Sequence, residues 1–138
     1  MAYNKRVGFM MLVRTRVGPS AIHGLGLFAV DAIPAGTPVW RFEPGFDQEI
    51  SPERFVALPE QAQAHIRWFA YQDAATGAWI LSGDHTCFMN HADRPNTGAS
   101  AKAKPPVTTT VALRDIAAGE ELTCDYRAFD AEARVKLG

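Results

Sequence analysis

Side chains capable of chemistry crowd into two short stretches of this 138-residue chain. The first runs Cys87-Phe88-Met89-Asn90-His91-Ala92-Asp93-Arg94-Pro95-Asn96, with His85 two positions ahead of it. The second runs Gly119-Glu120-Glu121-Leu122-Thr123-Cys124-Asp125-Tyr126. His85, Cys87 and His91 are metal-ligand types and would suit a small metal-dependent hydrolase, but no fourth ligand is evident and the spacing fits no standard zinc pattern. Cys87 and His91 are also the components of a nucleophile–base dyad, although such partners meet in space and sequence nearness does not establish one. A lone buried histidine is most often a hydrogen-bonded core residue. Tyr126, at the end of a short strand, reads either as amphipathic packing with a wet hydroxyl or as a phenol that orients a reacting group.

The elements that hold these residues are small. Nearly half of the residues are apolar (47%) and 21% are charged, a soluble globular composition long enough for one core and too short for two ordinary domains. A formal charge of −1 argues against a dedicated nucleic-acid binder, and Lys5-Arg6 and Lys102 to Lys104 read as solvated surface. The two cysteines both lie in the motifs, which points to a reducing, cytoplasmic setting and away from a disulfide scaffold. Arg14 and Arg16 cut the apolar run after Lys5-Arg6 short of a signal-peptide core, and no stretch reaches transmembrane length.

Residues 1–8 read as a flexible terminus. Phe9 to Val17 predicts a strand ended by Gly18-Pro19, and Gly24 to Val30 a second one. Val30-Asp31-Ala32-Ile33-Pro34-Ala35-Gly36-Thr37-Pro38-Val39 is echoed by Leu113 to Leu122, each reading as strand, Ala-Gly turn, strand. Ser51-Pro52-Glu53 starts a helix with a hydroxyl cap, a first-turn proline and an early acid. Pro59 restarts a second helix whose Ala62, His65, Ile66 and Phe69 recur at helical spacing, predicting one buried face and a helical insert over about 51–71. Trp79-Ile80-Leu81 predicts a strand. Thr97–Lys102 and Val107–Val111, separated by Pro105-Pro106, predict a hairpin-like pair. Nothing suggests a Rossmann sheet.

Asn90-His91 with Pro95-Asn96, the run Gly119 to Tyr126 and the upstream Gly24-Leu25-Gly26 together resemble the signatures of SET-domain protein-lysine methyltransferases. Those are usually written Arg-Phe-x-Asn-His-Ser-x-x-Pro-Asn and Gly-Glu-Glu-Leu-Thr-x-Asp-Tyr. By itself the glycine pair merely permits a tight turn, and it lacks the third glycine of a dinucleotide site. The resemblance covers residues 20–130. It implies a mainly β (α+β), β-clip-like SET fold of small sheets with a short helical insert and a knot-like C-terminal crossing, in a single domain over 9–130 with a tail over 131–138. Size and the lack of appended modules are similar to small stand-alone bacterial or viral members.

The resemblance implies S-adenosyl-L-methionine as cofactor, bound by His23, Gly24, Leu25 and Gly26 on one side and by Asn90 and His91 on the other, with Trp68 as an aromatic contact and no metal. It implies Tyr126 as the catalytic residue, with Trp40, Phe42, Phe88, Cys124 and Phe129 lining the channel for a lysine of a protein substrate. Only the neutral amine attacks, and lysine has a reference pKa of about 10.4; an apolar channel beside a sulfonium charge disfavours the ammonium form. Glu120, Glu121, Asp125 and Asp130 cluster near the channel and suit a basic peptide. No membrane partner is implied, and a homodimer is compatible.

Some positions depart from the family pattern. Phe42-Glu43-Pro44-Gly45 stands where the family carries Tyr-x-Gly-Glu, so a second channel tyrosine is missing there. Cys87 replaces the usual Arg, Ala92 the Ser, and no zinc-binding cysteine cluster follows Tyr126, so the tail or a partner chain must close the channel. Cys124 occupies the place of a Phe or Tyr that limits room around the lysine nitrogen. These departures sustain an alternative from another class: a non-catalytic SET-like module that binds a peptide or the cofactor without transfer.

Overall fold

Short β-strands joined by turns and loops are the commonest elements of the described chain, residues 11–102 and 109–128 of the computed structural model. In order they are β1 (Thr15–Pro19), β2 (Leu25–Ala29), β3 (Pro38–Arg41) and β4 (Gln48–Ile50), then helices α1 (Pro52–Val56) and α2 (Glu60–Phe69). There follow β5 (Tyr71–Gln72), β6 (Trp79–Leu81), β7 (Asn90–His91), β8 (Thr97–Gly98), β9 (Thr109–Ala112) and β10 (Glu121–Cys124). They form three small sheets, ordered β1-β2-β10-β7, β3-β9-β8 and β4-β6-β5.

The echoed segments pair with each other about a local two-fold. Ile33 and Ile116 exchange both backbone hydrogen bonds at 2.8 Å. Gly36 N–H donates to Ala112 O, and its counterpart Gly119 N–H donates to Ala29 O, again at 2.8 Å. Both glycines sit near φ +84 (83° and 84°), a conformation open to glycine at little cost. The repeat therefore encodes the centre of the fold. Leu27, Val39, Ile116 and Leu122 are fully enclosed there, each burial worth about 1.5–3 kcal/mol.

The last strand is threaded between two others. β10 runs antiparallel to β2, with Leu122 opposite Leu27, and parallel to β7, with Thr123 opposite Asn90 and Cys124 opposite His91. Asn96, buried to 2% exposure, fixes this crossing: its Nδ2 donates to Glu121 O at 2.8 Å and its Oδ1 accepts from Thr123 N–H at 2.8 Å. Thr97 Oγ1 donates to Thr123 O at 2.7 Å. The Pro95-Asn96 turn is thus a clasp on the strand that leads to Tyr126.

The helical insert forms as its caps require. Ser51 Oγ accepts from Arg54 N–H at 3.1 Å, with Pro52 in the first turn. Phe55, Ile66, Ala70 and Trp79 make a second small core, Phe55 stacking on Trp79 at 4.8 Å. The predicted face of α2 narrows: Ile66 is buried, Ala62 and Phe69 are half-buried, and His65 is exposed, because a two-layer insert offers one helix only a thin contact. Three strand boundaries also shift. Within the predicted Phe9–Val17 strand, Met11 only bridges Trp40, and pairing begins at Thr15 and continues through Gly18, opposite Gly26, to Pro19. The Thr97–Lys102 strand shortens to Thr97–Gly98, paired antiparallel with β9 as a hairpin requires. The insert ends at Phe69, and Tyr71 belongs to a strand opposite Ile80. The predicted flexible start and tail, Pro105-Pro106, Phe129 and Asp130 lie outside the described residues.

Glu120 caps the second echo turn. Its carboxylate accepts from Arg114, Ala117 N–H and, at 3.5 Å, Asn96 Nδ2. The Arg114 hydrogen bond, reinforced by that backbone donor, lowers its pKa from 4.5 to about 2. A depressed carboxylate pKa stabilises the fold above the unfolded value, and that contribution disappears as pH falls from 4.5 through 2. Glu120→Gln is expected to cost about 1 kcal/mol near neutral pH. The difference should close by pH 2 in thermal melts, and a gap independent of pH would refute the assignment.

Candidate active site

A cavity of about 410 Å³ opens where the three sheets meet the insert. Tyr126, Cys124, Trp40, Met89, Tyr71 and Trp68 stand in its wall, with Cys87 at one side and Asp125 at another. Tyr126 is held at its hydroxyl and at its backbone N–H. Tyr126 Oη donates to Met89 O at 2.8 Å, and Tyr126 N–H donates to His91 Nδ1 at 3.1 Å. Because Nδ1 accepts, the neutral imidazole carries its proton on Nε2, which faces Asp93 Oδ1 at 3.3 Å. Asp125 stays a carboxylate: Arg127 hydrogen-bonds it and holds its pKa below the usual range.

A second group of residues gathers beside β2. Asn90 Nδ2 lies within 3.0–3.1 Å of His23 O, Leu25 O, Ser20 Oγ and Glu121 Oε2. Ser20 Oγ also donates to Glu121 Oε1 at 2.7 Å and accepts from Ile22 N–H at 2.9 Å. A Cβ at Gly26 would lie 2.6 Å from Glu121 Oε2, so any larger residue there would displace that carboxylate. Gly24 has φ +46°. The loop is a cradle of backbone and carboxylate oxygens open to solvent, with Leu25 half exposed. His91 links the two groups, following Asn90 in β7 and holding Tyr126 through its ring.

His23, Gly24, Leu25, Gly26 and Asn90 are therefore together, and Tyr126, Trp40 and Cys124 share the cavity wall. Trp68 lines the cavity and not the glycine loop, and is 79% exposed at its rim. Phe42 packs against the main core and Phe88 turns edge-on to His85 at 6.1 Å; neither forms the cavity wall. The proposed acidic cluster divides: Glu120 pairs with Arg114, Glu121 belongs to the glycine loop, and Asp125 alone of the described three lines the cavity. Among the described residues no group of three or more His, Cys, Asp or Glu could hold a metal ion. Burial and the Asp84 charge push the Cys87 thiol up, the reverse of what an activated nucleophile needs.

Sequence reasoning missed Tyr71 and the pair Ser20–Glu121. Tyr71 was absorbed into the helical insert, yet it supplies the cavity with a second tyrosine from another element. Nothing local marks Ser20; only its three-residue distance from His23 hinted at the loop.

The family model described as SET domain matches residues 24–127. A Plasmodium falciparum protein named as a histone-lysine N-methyltransferase is 27% identical over 99% of this chain, which spans only 2% of that relative's length. Among solved structures, one from Plasmodium falciparum named as a histone methyltransferase aligns with TM-score 0.56 and 19% identity, covering 83% of this chain and 93% of the other. The Chaetomium thermophilum Polycomb Repressive Complex 2 bound to S-adenosylmethionine aligns with TM-score 0.61 and 23% identity, covering 89% of this chain and 16% of that one.

Proposed function

Since the chain belongs to the SET-domain family, we propose that it is an S-adenosyl-L-methionine-dependent protein-lysine methyltransferase with Tyr126 as its catalytic residue. The observation that carries this reading is Tyr126 in the wall of an apolar cavity, its phenol bonded to Met89 O and its backbone N–H to the ring of His91, which follows Asn90 of the cradle. The loop suits the cofactor: His23 O and Leu25 O are solvent-facing acceptors beside Asn90, and the loop is bare of side chain at Gly26, so its backbone can be approached closely. When bound, S-adenosylmethionine supplies a methyl group activated by the sulfonium charge. His23 to Gly26, Asn90 and the His91 backbone would hold it.

The chain's residues do the positioning. Trp40, Met89 and Cys124 exclude water from the cavity wall, which disfavours the ammonium form of an entering lysine. Tyr126 spends its proton on Met89 O, so its oxygen meets the amine as an acceptor and aims the nitrogen lone pair. Asp125 keeps a negative charge at the cavity, which supports a substrate lysine set among other basic residues. Two reduced cysteines support a cytoplasmic protein, and a second copy of the chain is a further candidate for closing the channel.

Binding of S-adenosylhomocysteine should be measurable by calorimetry and unaltered by chelator. Absence of binding, or its loss on chelation, sinks the proposal. Radiolabelled methyl transfer to mixed proteins separates the enzyme from a binding-only module.

A further inference from the structure

The ring of His91 stands between two opposite demands. Tyr126 N–H donates to its Nδ1 at 3.1 Å, which requires a lone pair there. Its charged surroundings favour a proton instead. Asp93 Oδ1 lies 3.3 Å from Nε2, and Asp125 Oδ1 lies 3.5 Å from Nδ1. Arg127 is the cation between these carboxylates: its Nη2 reaches Asp93 Oδ1 at 3.1 Å and its Nε reaches Asp125 Oδ1 at 2.9 Å. One guanidinium against two carboxylates leaves one negative charge, which an imidazolium would balance. Further titratable groups beside the ring, among the described residues, are the Tyr126 phenol, its ring 5.5 Å away, and Cys124, the neighbour of His91 in the β7–β10 ladder. Asp93 falls on an unspecified position of the Asn-His-Ser-x-x-Pro-Asn signature and Arg127 lies beyond the second signature. The charges around the ring therefore belong to this chain and not to the motifs.

We infer that His91 is a positioning residue whose Nδ1 lone pair sets Tyr126 for transfer, and that Asp93 and Arg127 tune, from outside the cavity, the acidity at which that hold is released. The inference rests on the methyltransferase reading and adds a control to it. A proton arriving at Nδ1 turns the acceptor into a donor, and the acceptor within reach is Asp125 Oδ1. Tyr126 N–H then faces another N–H and must withdraw, leaving the Oη bond to Met89 O to hold the phenol. Imidazoles make this change between about pH 5 and 8. Acid therefore acts on the reaction twice, at the substrate amine and at Tyr126.

Nuclear magnetic resonance on the full isotope-labelled chain tests the hold. The Tyr126 amide proton should shift in one step as pH falls from about 8 to 5. Asp93→Asn removes an anion beside the ring and should move the midpoint down; Arg127→Gln removes the cation and should move it up. Each displacement should be about 0.2–0.7 pH unit, the scale of an exposed ion pair. A purely structural role would not move the two midpoints in opposite directions. The two side chains are 83% and 56% exposed, so these variants keep the fold even where His91→Asn does not. His91→Asn, whose amide oxygen accepts without titrating, should abolish the step. In parallel, the initial rate of methyl transfer to mixed proteins should fall about tenfold per pH unit from the amine alone, and up to about a hundredfold per unit below the wild-type midpoint. An amide that does not move, midpoints that stay or shift together, or a rate that keeps a single slope overturns the inference and leaves the methyltransferase reading standing. Absence of transfer at every pH overturns both.

Discussion

Tyr126→Phe is expected to lower kcat by on the order of 10²–10⁴, the usual scale for a positioned proton-transfer or orienting group, with unchanged affinity for S-adenosylhomocysteine. The substitution removes one hydroxyl and keeps the ring, so the ring contact to His91 at 5.5 Å and the Tyr126 N–H bond to His91 Nδ1 both survive. What disappears is the oxygen that faces the cavity and its bond to Met89 O. Met89 is buried, so its carbonyl loses a donor, at a cost of about 1–3 kcal/mol in stability. That cost is visible in a melt and separable from catalysis. Single-turnover transfer of a labelled methyl group, alongside calorimetry, reads the two effects independently. A variant that transfers at the wild-type rate removes Tyr126 from the chemistry and revives the binding-only alternative.

What could be read from the sequence was what short segments decide for themselves. Ser51-Pro52-Glu53 caps a helix because the cap is a bond within four residues. The Ala-Gly echo fixes two turns because glycine at 36 and 119 accepts that positive φ cheaply. The Asn-His and Asp-Tyr pairs were recognisable as motifs for the same reason. Their meeting was not. Asn90 reaches Ser20 across 70 residues and Glu121 across 31, and such contacts follow from strand order, which no local pattern states. Tyr71 was hidden likewise, since only pairing with Ile80 and Trp79 converts the end of a helical stretch into a strand at the cavity. Trp40 and Phe42 illustrate the limit within one segment. Both are aromatic, two residues apart, and both join the main core, yet only Trp40 also reaches the cavity wall.

Cys124→Tyr is expected to change the product. The thiol of Cys124 stands in the wall of the same cavity as Tyr126, Met89 and Tyr71, at a place where related domains carry a Phe or Tyr ring. A thiol is smaller and a weak hydrogen-bond former, so the wild-type cavity has room for an amine that already bears methyl groups and for the rotation that presents its lone pair again. The wild-type enzyme should therefore proceed to di- or trimethyl-lysine, and mass spectrometry at exhaustive turnover should find no plateau at one methyl group. A tyrosine at position 124 would project a ring into the cavity and place a hydroxyl near the amine, stopping the reaction at monomethyl-lysine. Cys124 pairs with His91 in the β7–β10 ladder and is 7% exposed, so an enlarged side chain there costs about 1–3 kcal/mol if the cavity does not take it up. Peptides synthesised with mono- and dimethyl-lysine avoid that complication, since the wild-type enzyme should methylate both. A wild-type reaction that halts at one methyl group, or refuses the monomethyl peptide, overturns the steric account whatever the variant does.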